Sequence, residues 1–371
     1  MRRSTAGILG ILVAAAGCGS SGGGAPGTGG SSAVGGATGG TAGAATGGAG
    51  GVVGTGATAG ASAGTTGAAG AAVAGSGGTI GSGQRAVTKF TSFAFGSVPN
   101  ALAPGPDGNI WFAESDSYQV GRVTPAGVIS EFMSPNSSGR MVAITAGPDG
   151  NIWFSQAGTA AFGRVTPAGT MMTTFAASET AGDMAPGADG NVWFSVPATN
   201  RIGRVTPNGT VTYFVVPGGG APAGVTKGPD GNIWFAAADS IGRVTPDGTF
   251  TVFPVTGVAA RPSDIAFGPD GNVWFTESGR NAKVGRMTPT GAITEFPLPA
   301  GNELVAITAG PGGLWFTDTG TKSVGRATVA GDVTEFVVTD SMGKLGGIAA
   351  GADGNIWFTE TWSYAICYIT P

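Results

Sequence analysis

The carboxylates best placed to do chemistry recur at one position, three residues after a repeated tryptophan. Reading along the chain, this position holds Glu114, Gln156, Val196, Ala237, Glu277, Asp318 and Glu360. Carboxylates can act as general bases, as nucleophiles or as ligands of hard cations such as Mg²⁺ and Ca²⁺. The chain has no histidine, so the commonest general base and metal ligand near neutral pH is absent.

The tryptophans belong to a repeat that defines the architecture. They lie 40 to 42 residues apart, each preceded by a Gly-Asn or Gly-Gly turn and an apolar residue, at Trp111, Trp153, Trp193, Trp234, Trp274, Trp315 and Trp357. Each unit reads as four short strands separated by P-D-G and T-P-x-G turns. In the unit 263–299 the strands are expected at 265–267, 272–276, 283–287 and 292–296. Seven such units predict an all-β protein, a seven-bladed β-propeller.

The two ends of the chain predict how the ring closes. The last unit stops at Pro371, within its T-P turn, and lacks a fourth strand. Residues 85–90 have the same phase as residues 291–296, so we expect this N-terminal strand to complete the last blade. Closure of the ring protects strand edges that an open array would expose.

The N-terminal region predicts export and a membrane anchor. Residues 1–18 carry two arginines and an apolar run too short to span a bilayer, which is typical of a signal peptide. The run ends in Ala-Ala-Gly-Cys, similar to a bacterial lipobox, so Cys18 is the predicted lipidation site. An ordinary cleaved signal is the alternative. Residues 19–84, rich in Gly, Ala, Ser and Thr, read as a flexible linker. The predicted protein is thus a propeller of residues 85–371, lipid-anchored to a bacterial membrane in the cell envelope.

The strand order divides the propeller into two faces. The P-D-G and T-P-x-G turns lie together on one face, here named the constant face because these turns hardly differ between blades. The loops between second and third strands and the links between blades form the opposite, variable face, for example at 115–118, 197–200 and 361–364. Variation on a rigid scaffold is typical of ligand binding, so we expect the ligand on the variable face.

The acidic residues would gather on one side of the variable face. Blades 5, 6, 7 and 1 are adjacent in a closed ring, and we predict that Glu277, Asp318 and Glu360 form a site able to hold Mg²⁺ or Ca²⁺, although no cofactor is required for ligand binding. Glu114 is a predicted ligand-binding residue beside them. Trp362, the one tryptophan outside the repeat, would offer an aromatic platform. In the alternative interpretation each acid pairs with an arginine of the following strand, at Arg122, Arg286 or Arg326.

The repeated units, of the form G-P-D-G-N-I-W-F-T-E, I-G-R-V-T-P and I-T-E-F-P-L-P, resemble those of the streptogramin lyases, the virginiamycin B lyase family, over residues 85–371. The resemblance implies a seven-bladed propeller. In the active enzymes it implies Mg²⁺-assisted elimination that opens a cyclic depsipeptide lactone, with a histidine as base. The positions of the family's working histidines and metal carboxylates fall on Val305, Gly346, Lys344 and the neighbourhood of Thr361, beside Glu360.

The position that holds Val305 and Gly346 recurs once in every blade and predicts the lining of the channel mouth. It holds mostly small or apolar residues, namely Asn100, Val142, Gly182, Ala223, Ser263, Val305 and Gly346. Asp183 and Asp264 lie one residue further on. Asn100, Ser263 and Asp264 are therefore the predicted ligand-binding residues of the mouth. Neither Val nor Gly can abstract a proton, so the family's mechanism is not expected to transfer.

These observations predict a monomeric binding module for a small molecule, a glycan or a protein. Two enzymatic alternatives stay open: a lyase with another base, such as Glu360, Glu277 or Asp264, and a metal-dependent lactonase or hydrolase. The net charge of −4 and the pI near 4.9 provide no basic surface for nucleic acid. Contact with the membrane is expected only through the lipid anchor.

Overall fold

The fold is described in a computed structural model for residues 85–91, 93, 97–136, 138–255, 261–279, 282–298, 303–338, 341 and 344–371. These residues form seven four-stranded antiparallel sheets, which confirms the predicted seven-bladed β-propeller. A 3₁₀ turn lies at Pro197–Thr199. Within the described part of the chain, no helix has the length and apolar character to cross a membrane. The predicted signal peptide, the predicted linker and Cys18 lie outside the described residues.

The strands follow one another blade by blade. The chain starts with β1 (Val87–Phe90) and continues through blade 1 as β2 (Pro99–Pro104), β3 (Ile110–Glu114), β4 (Gln119–Val123) and β5 (Ile129–Met133). Blade 2 comprises β6 (Arg140–Ala146), β7 (Ile152–Ala157), β8 (Ala161–Val165) and β9 (Met171–Ala176). Blade 3 comprises β10 (Met184–Pro186), β11 (Val192–Val196), β12 (Arg201–Val205) and β13 (Val211–Val215). Blade 4 comprises β14 (Val225–Lys227), β15 (Ile233–Ala237), β16 (Ser240–Val244) and β17 (Phe250–Pro254).

The last three blades keep the same order. Blade 5 comprises β18 (Pro262–Phe267), β19 (Val273–Glu277), β20 (Lys283–Met287) and β21 (Ile293–Pro297). Blade 6 comprises β22 (Leu304–Gly310), β23 (Gly313–Asp318), β24 (Ser323–Ala327) and β25 (Val333–Val337). Blade 7 comprises β26 (Leu345–Ala350), β27 (Ile356–Glu360) and β28 (Ala365–Ile369), and its fourth strand is β1, antiparallel to β28.

The repeated tryptophans form the core of each blade. All seven are buried, and each stacks on a fourth-strand phenylalanine with ring centroids 5.4 to 5.8 Å apart. In blade 7 the partner of Trp357 is Phe90 of β1. Offset aromatic stacks of this kind stabilise a core beyond the burial of their area. The N-terminal strand therefore supplies the ring that completes the seventh stack.

Neighbouring blades interlock at the T-P-x-G turns. Gly169 has φ +88°, and a Cβ at this residue would collide with the ring of Phe132 from the preceding blade. Gly127 of blade 1 has φ +84° and lies in the same way against Phe90. Only glycine combines this backbone conformation with such a close approach. The constant face therefore has a structural reason to be uniform.

The predicted strand boundaries in blade 5 hold to within three residues. The third strand agrees at both ends, and the second and fourth are each displaced by one residue. The first strand begins at Pro262 instead of residue 265, because the pairing is shifted between Pro262 and Ile265. Such a bulge lets a strand continue past residues that leave the ladder. Here those residues are Ser263 and Asp264.

Candidate functional site

The channel mouth is shaped by hydroxyls of the second strands. Because Asp264 lies in the bulge of β18, its N–H donates to Thr276 Oγ1 at 3.1 Å instead of joining the ladder. In blade 3 the N–H of Asp183 donates in the same way to Ser195 Oγ at 3.0 Å. Each hydroxyl thus fixes the backbone from which an aspartate side chain extends.

Two carboxylates link adjacent blades at this mouth. Asp183 Oδ2 accepts the N–H of Val225, in blade 4, at 2.8 Å. Asp264 accepts the N–H of Ile265 through Oδ1 at 2.9 Å and that of Ile307, in blade 6, through Oδ2 at 2.8 Å. Each carboxylate therefore accepts a backbone N–H from the first strand of the next blade, a donor that would otherwise need another partner. This bracing is a structural role for both aspartates.

The same carboxylates line a cavity at the mouth. Its volume is about 310 Å³, and it is bounded by Gly182, Asp183, Pro197, Ala223, Gly224, Ser263, Asp264 and Val305. Gly224 lies where a Cβ would collide with Asp264 Oδ1, so the small residue of blade 4 makes room for the carboxylate of blade 5. A second cavity of about 470 Å³, lined by first strands of several blades, shares Asp183, Asp264 and Val305 with it.

The electrostatics of the mouth favour neutral carboxyls or a positively charged ligand. Burial raises the pKa of Asp264 to about 7, and the charge of Asp183 adds to this effect. Burial also raises the pKa of Asp183 to about 6, against the opposing hydrogen bonds from the backbone of Val225 and Met184. Two carboxyls that titrate near neutrality in a cavity are typical of a functional site.

The predicted mouth residues are brought together in part. Ser263 and Asp264 line the mouth cavity, and Asn100 lines the adjoining channel. The polar groups of Asn100 are engaged, because Nδ2 donates to the carbonyl of Met141 at 3.3 Å and Oδ1 accepts the N–H of Ala101 at 2.7 Å. Asp183 lines the same cavity but is not among the predicted ligand-binding residues. Its equivalence to Asp264 in blade 5 is the signal that would have selected it.

The four acidic residues that follow a repeated tryptophan by three positions, here named the rim acids, are buried. Glu114, Glu277, Asp318 and Glu360 are at most 3 % exposed, and each lies in its own blade. Glu360 Oε2 accepts a hydrogen bond from Lys89 Nζ at 2.6 Å. Among the residues that the structure describes, no three Asp, Glu, Cys or His side chains are close enough to hold a metal ion. The structure therefore does not bring Glu277, Asp318 and Glu360 into one site.

The alternative pairing of these acids with arginines is wrong. In blade 1 the register places Arg122 opposite Trp111 and Gln119 opposite Glu114. Arg122 therefore lies at the other end of the strand, over the Trp111 ring at 5.6 Å, and its guanidinium is 3.9 Å from Asp107 of the P-D-G turn. Antiparallel pairing through a short loop excludes contact between the rim acid and this arginine.

Trp362 lies apart from both cavities. It belongs to the loop between β27 and β28, where 70 % of its surface is exposed, and Tyr364 in the same loop is 52 % exposed. Glu114 lines neither cavity. Ligand binding by Trp362 and by Glu114 therefore stays a prediction, which the geometry of the mouth does not support.

The residues at the positions that the resemblance assigns to Mg²⁺ do not fit that ion. Lys344 carries a positive charge and lies 3.8 Å from Glu303, and Thr361 Oγ1 donates to the carbonyl of Lys344 at 3.0 Å. The neighbouring Glu360 is held by Lys89. Mg²⁺ needs carboxylate oxygens in octahedral geometry, which a lysine and a threonine at these places do not supply.

Comparison with known proteins agrees with this architecture. The sequence matches the model of the virginiamycin B lyase family over residues 77–184 and 173–371. A solved streptogramin B lyase is 30% identical, with a TM-score of 0.72, covering 76% of this chain and 97% of that one. Virginiamycin B lyase from Staphylococcus aureus is 29% identical, with a TM-score of 0.72, covering 77% and 99%. A catalytically inactive variant of it, solved with quinupristin, matches equally. No curated protein sequence matches significantly. The chain belongs to the virginiamycin B lyase family.

Proposed function

We propose that this chain is a ligand-binding member of its family without lyase chemistry, exported and anchored to the membrane through a lipid on Cys18. The linker of residues 19–84 holds the propeller away from the bilayer. The ligand, a small molecule in preference to a glycan or protein, binds in the mouth cavity of the variable face. The protein acts as a monomer, contacts the membrane only through its anchor and does not bind nucleic acid.

One observation carries the absence of lyase chemistry. The positions that the resemblance assigns to the family's bases hold Val305, which lines the mouth cavity, and Gly346, which has no side chain. A Cβ on Gly346 would lie 2.5 Å from Thr359 Oγ1 and 3.2 Å from the carbonyl oxygen of Asn100. The packing of blade 1 against blade 7 thus leaves no room for a base there, and elimination needs a base within reach of the abstracted proton.

The mouth cavity determines the class of ligand. Its polar side chains are the carboxyls of Asp183 and Asp264 and the hydroxyl of Ser263, and the rest of its lining is small or apolar. Such a cavity favours a ligand that presents a cationic group or hydrogen-bond donors to the carboxyls and an apolar body to the walls. No metal cofactor is needed for this binding.

A second candidate is a lyase that uses Asp264 as its base. Because burial raises its pKa to about 7, this carboxyl titrates where a general base is most effective. The two hydrogen bonds from Ile265 and Ile307 oppose this role, since they hold both carboxylate oxygens in place.

The test is incubation of the full-length protein with a streptogramin B lactone, with and without Mg²⁺. Mass spectrometry detects the opened ring, calorimetric titration measures binding, and the Staphylococcus aureus enzyme serves as the positive control. We expect bound, intact lactone and about tenfold weaker binding in Asp264→Asn. Ring opening that disappears in Asp264→Asn would establish the second candidate. If the lactone neither binds nor is opened, the proposed ligand site is contradicted.

A further inference from the structure

Four oxygen-bearing side chains meet at the variable end of blade 6. Asp318 ends β23, Thr321 lies in the following loop, Ser323 begins β24 and Glu335 lies on the outer strand β25. Ser323 Oγ donates to Glu335 Oε1 at 3.0 Å, and the hydroxyl oxygens of Thr321 and Ser323 are 2.7 Å apart. Glu335 is within hydrogen-bonding reach of the Asp318 carboxyl. These four residues are here named the blade 6 oxygen cluster.

Asp318 leaves one buried carboxylate oxygen for this cluster. The side chain is fully buried, and its Oδ1 accepts the N–H of Gly320 at 2.8 Å and that of Glu303 at 3.3 Å. Oδ2 is also buried, and no N–H or O–H donor among the described residues reaches it. A buried carboxylate oxygen without a donor is costly unless a cation or a proton neutralises it. Oδ2 therefore marks the place of a positively charged partner.

The two neighbouring blades supply such a partner themselves. In blade 5 Lys283, which begins the third strand, forms an ion pair with Glu295, and Glu295 in turn faces Glu277. In blade 7 Lys89 of the outer strand β1 lies 2.6 Å from Glu360. In each of these blades an ammonium group therefore neutralises the carboxylates at the end of the second strand.

Blade 6 keeps the carboxyls and lacks both lysines. Ser323 is paired with the end of the second strand where blade 5 has Lys283, and Glu335 is at the outer-strand position where blade 7 has Lys89. Among the described residues, no lysine or arginine forms an ion pair with Asp318 or Glu335. Blade 6 thus has two facing carboxyls and two hydroxyls where its neighbours have an ammonium group.

The lysines nearest in the sequence have other partners. Lys322 lies between Thr321 and Ser323 with φ +56°, and its Nζ donates to the carbonyl of Ser341 at 3.2 Å. Lys344 Nζ is 3.8 Å from Glu303. A neutralising cation for the blade 6 oxygen cluster must therefore come from solution.

The chemistry of the cluster selects the kind of cation. Burial raises the pKa of Glu335, and the charge of Asp318 adds to this effect, while hydrogen bonds from Ser323 and Thr321 oppose it. Carboxylates and hydroxyls are oxygen ligands, which Ca²⁺ accepts in flexible geometry with water completing the shell, whereas Mg²⁺ demands a near-ideal octahedron. A monovalent ion would leave one of the two negative charges uncompensated.

We propose that the blade 6 oxygen cluster is a Ca²⁺ site. Asp318 Oδ2, the carboxylate of Glu335 and the hydroxyls of Thr321 and Ser323 supply the protein ligands. The ion takes the place that the ammonium of Lys283 has in blade 5, and it joins the loop 319–322 to the outer strand β25.

The site lies close to the mouth in the chain but does not line it. Asp318 Oδ1 holds the backbone of Glu303, which immediately precedes β22, the strand that brings Val305 to the mouth cavity. None of the four cluster residues lines either cavity. The Ca²⁺ site therefore stabilises the blade that carries a mouth residue and does not depend on the proposed ligand.

Urea denaturation of the full-length protein at pH 7, with and without CaCl₂ at constant ionic strength, tests the site. A site with few charged ligands binds Ca²⁺ with a Kd on the order of 10⁻³ M or tighter. Because only the folded protein has the site, about 10 mM Ca²⁺ should lower the equilibrium constant for unfolding at least roughly tenfold. The same concentration of Mg²⁺ should have a smaller effect, and constant ionic strength excludes screening as the cause.

Three variants make the result specific. Glu335→Gln removes a carboxylate ligand and should abolish the stabilisation by Ca²⁺. The matched blade 5 variant Glu295→Gln should keep the parent's response. Ser323→Lys gives blade 6 the ammonium of blade 5, so this variant should be at least as stable as the parent without Ca²⁺ and should not respond to the ion.

Calorimetric titration should find one bound Ca²⁺ fewer in Glu335→Gln and in Ser323→Lys than in the parent. Both variants retain Asp183 and Asp264, so any Ca²⁺ bound at the mouth is still counted, and lactone binding should be unchanged. The proposal is overturned if Ca²⁺ does not stabilise the parent protein, or if either variant keeps the parent's response.

Discussion

Asp149 of the constant face and Glu114 of the variable face are carboxylates whose pKa values shift in opposite directions. On the constant face Asp149 accepts hydrogen bonds from Asn151 Nδ2 at 2.9 Å, Trp153 Nε1 at 2.9 Å and Arg164 at 2.8 Å. Burial there would raise the pKa of Asp149, but these donors outweigh it and lower the pKa below its usual value. On the variable face burial prevails and raises the pKa of Glu114 to about 8.

The difference lies in where the hydrogen-bond donors come from. On the constant face the Asn and Trp donors follow the aspartate at two and four residues, so every blade with the Asp-Gly-Asn-apolar-Trp turn builds these same two contacts. Blade 6 has Gly312 in place of the aspartate, and there Trp315 Nε1 donates to the carbonyl of Pro311 at 2.9 Å. On the variable face the partner comes from another strand or blade, so each blade can be tuned separately. The repeated hydrogen bonds stabilise the constant face. On the variable face, where the partners differ from blade to blade, some buried carboxyls keep raised pKa values.

The largest test of this comparison is the pH dependence of global stability. Glu114, Glu277 and Asp264 have raised pKa values in the folded state, of about 8, 7 and 7, so the folded protein binds more protons than the unfolded chain between pH 4.5 and pH 8. Stability must therefore fall as pH rises through this range. We expect a loss on the order of 5 kcal/mol between pH 5 and pH 9, measured by urea denaturation.

At low pH the carboxylates of the constant face have the opposite effect on stability. Because the pKa of Asp149, Asp189 and Asp230 is lowered, their contribution is present above pH 4 and is lost as pH falls through their folded-state values. Stability should therefore be greatest near pH 5. Glu114→Gln should flatten the alkaline branch and leave the acid branch unchanged. If the free energy of unfolding were greatest at pH 8, the raised pKa values assigned to the carboxyls of the variable face would be contradicted.

The same distinction explains what the sequence could and could not predict. The constant-face turns follow from residues within five positions of one another, and the tryptophans recur every 40 to 42 residues, so both patterns are visible in the sequence. The rim acids end second strands at the variable face, yet Glu114 and Glu131 face each other across a blade from positions 17 residues apart. Asp183 reaches Val225, 42 residues along the chain. Contacts of this range depend on bulges and register, which residue types alone do not reveal.

A smaller effect tests the ring closure in blade 7. Lys89→Glu would place a carboxyl pair in blade 7 like that of blade 1 and remove the ion pair with the buried Glu360. We expect a loss of about 3 kcal/mol at pH 8, since an uncompensated buried charge remains, and partial recovery at pH 5, where the pair can share a proton. Lys89→Gln is the control and should lose stability to a similar extent at both pH values. Equal pH dependence of the two variants would show that blade 7 does not tolerate a shared proton.

The smallest effect isolates one ion pair of the constant face. Asp149→Asn keeps an acceptor for Trp153 but removes the charge that Arg164 contacts, a partly buried pair, so we expect a loss of about 1 kcal/mol in urea denaturation at pH 7. Asp353→Asn is the matched control, because Tyr368 replaces the arginine in blade 7 and lies on Trp357 at 4.9 Å. It should change stability by less than about 0.5 kcal/mol. If both substitutions cost the same, the arginine contributes packing without electrostatic stabilisation, and Asn151 and Trp153 are the donors that lower the pKa of Asp149.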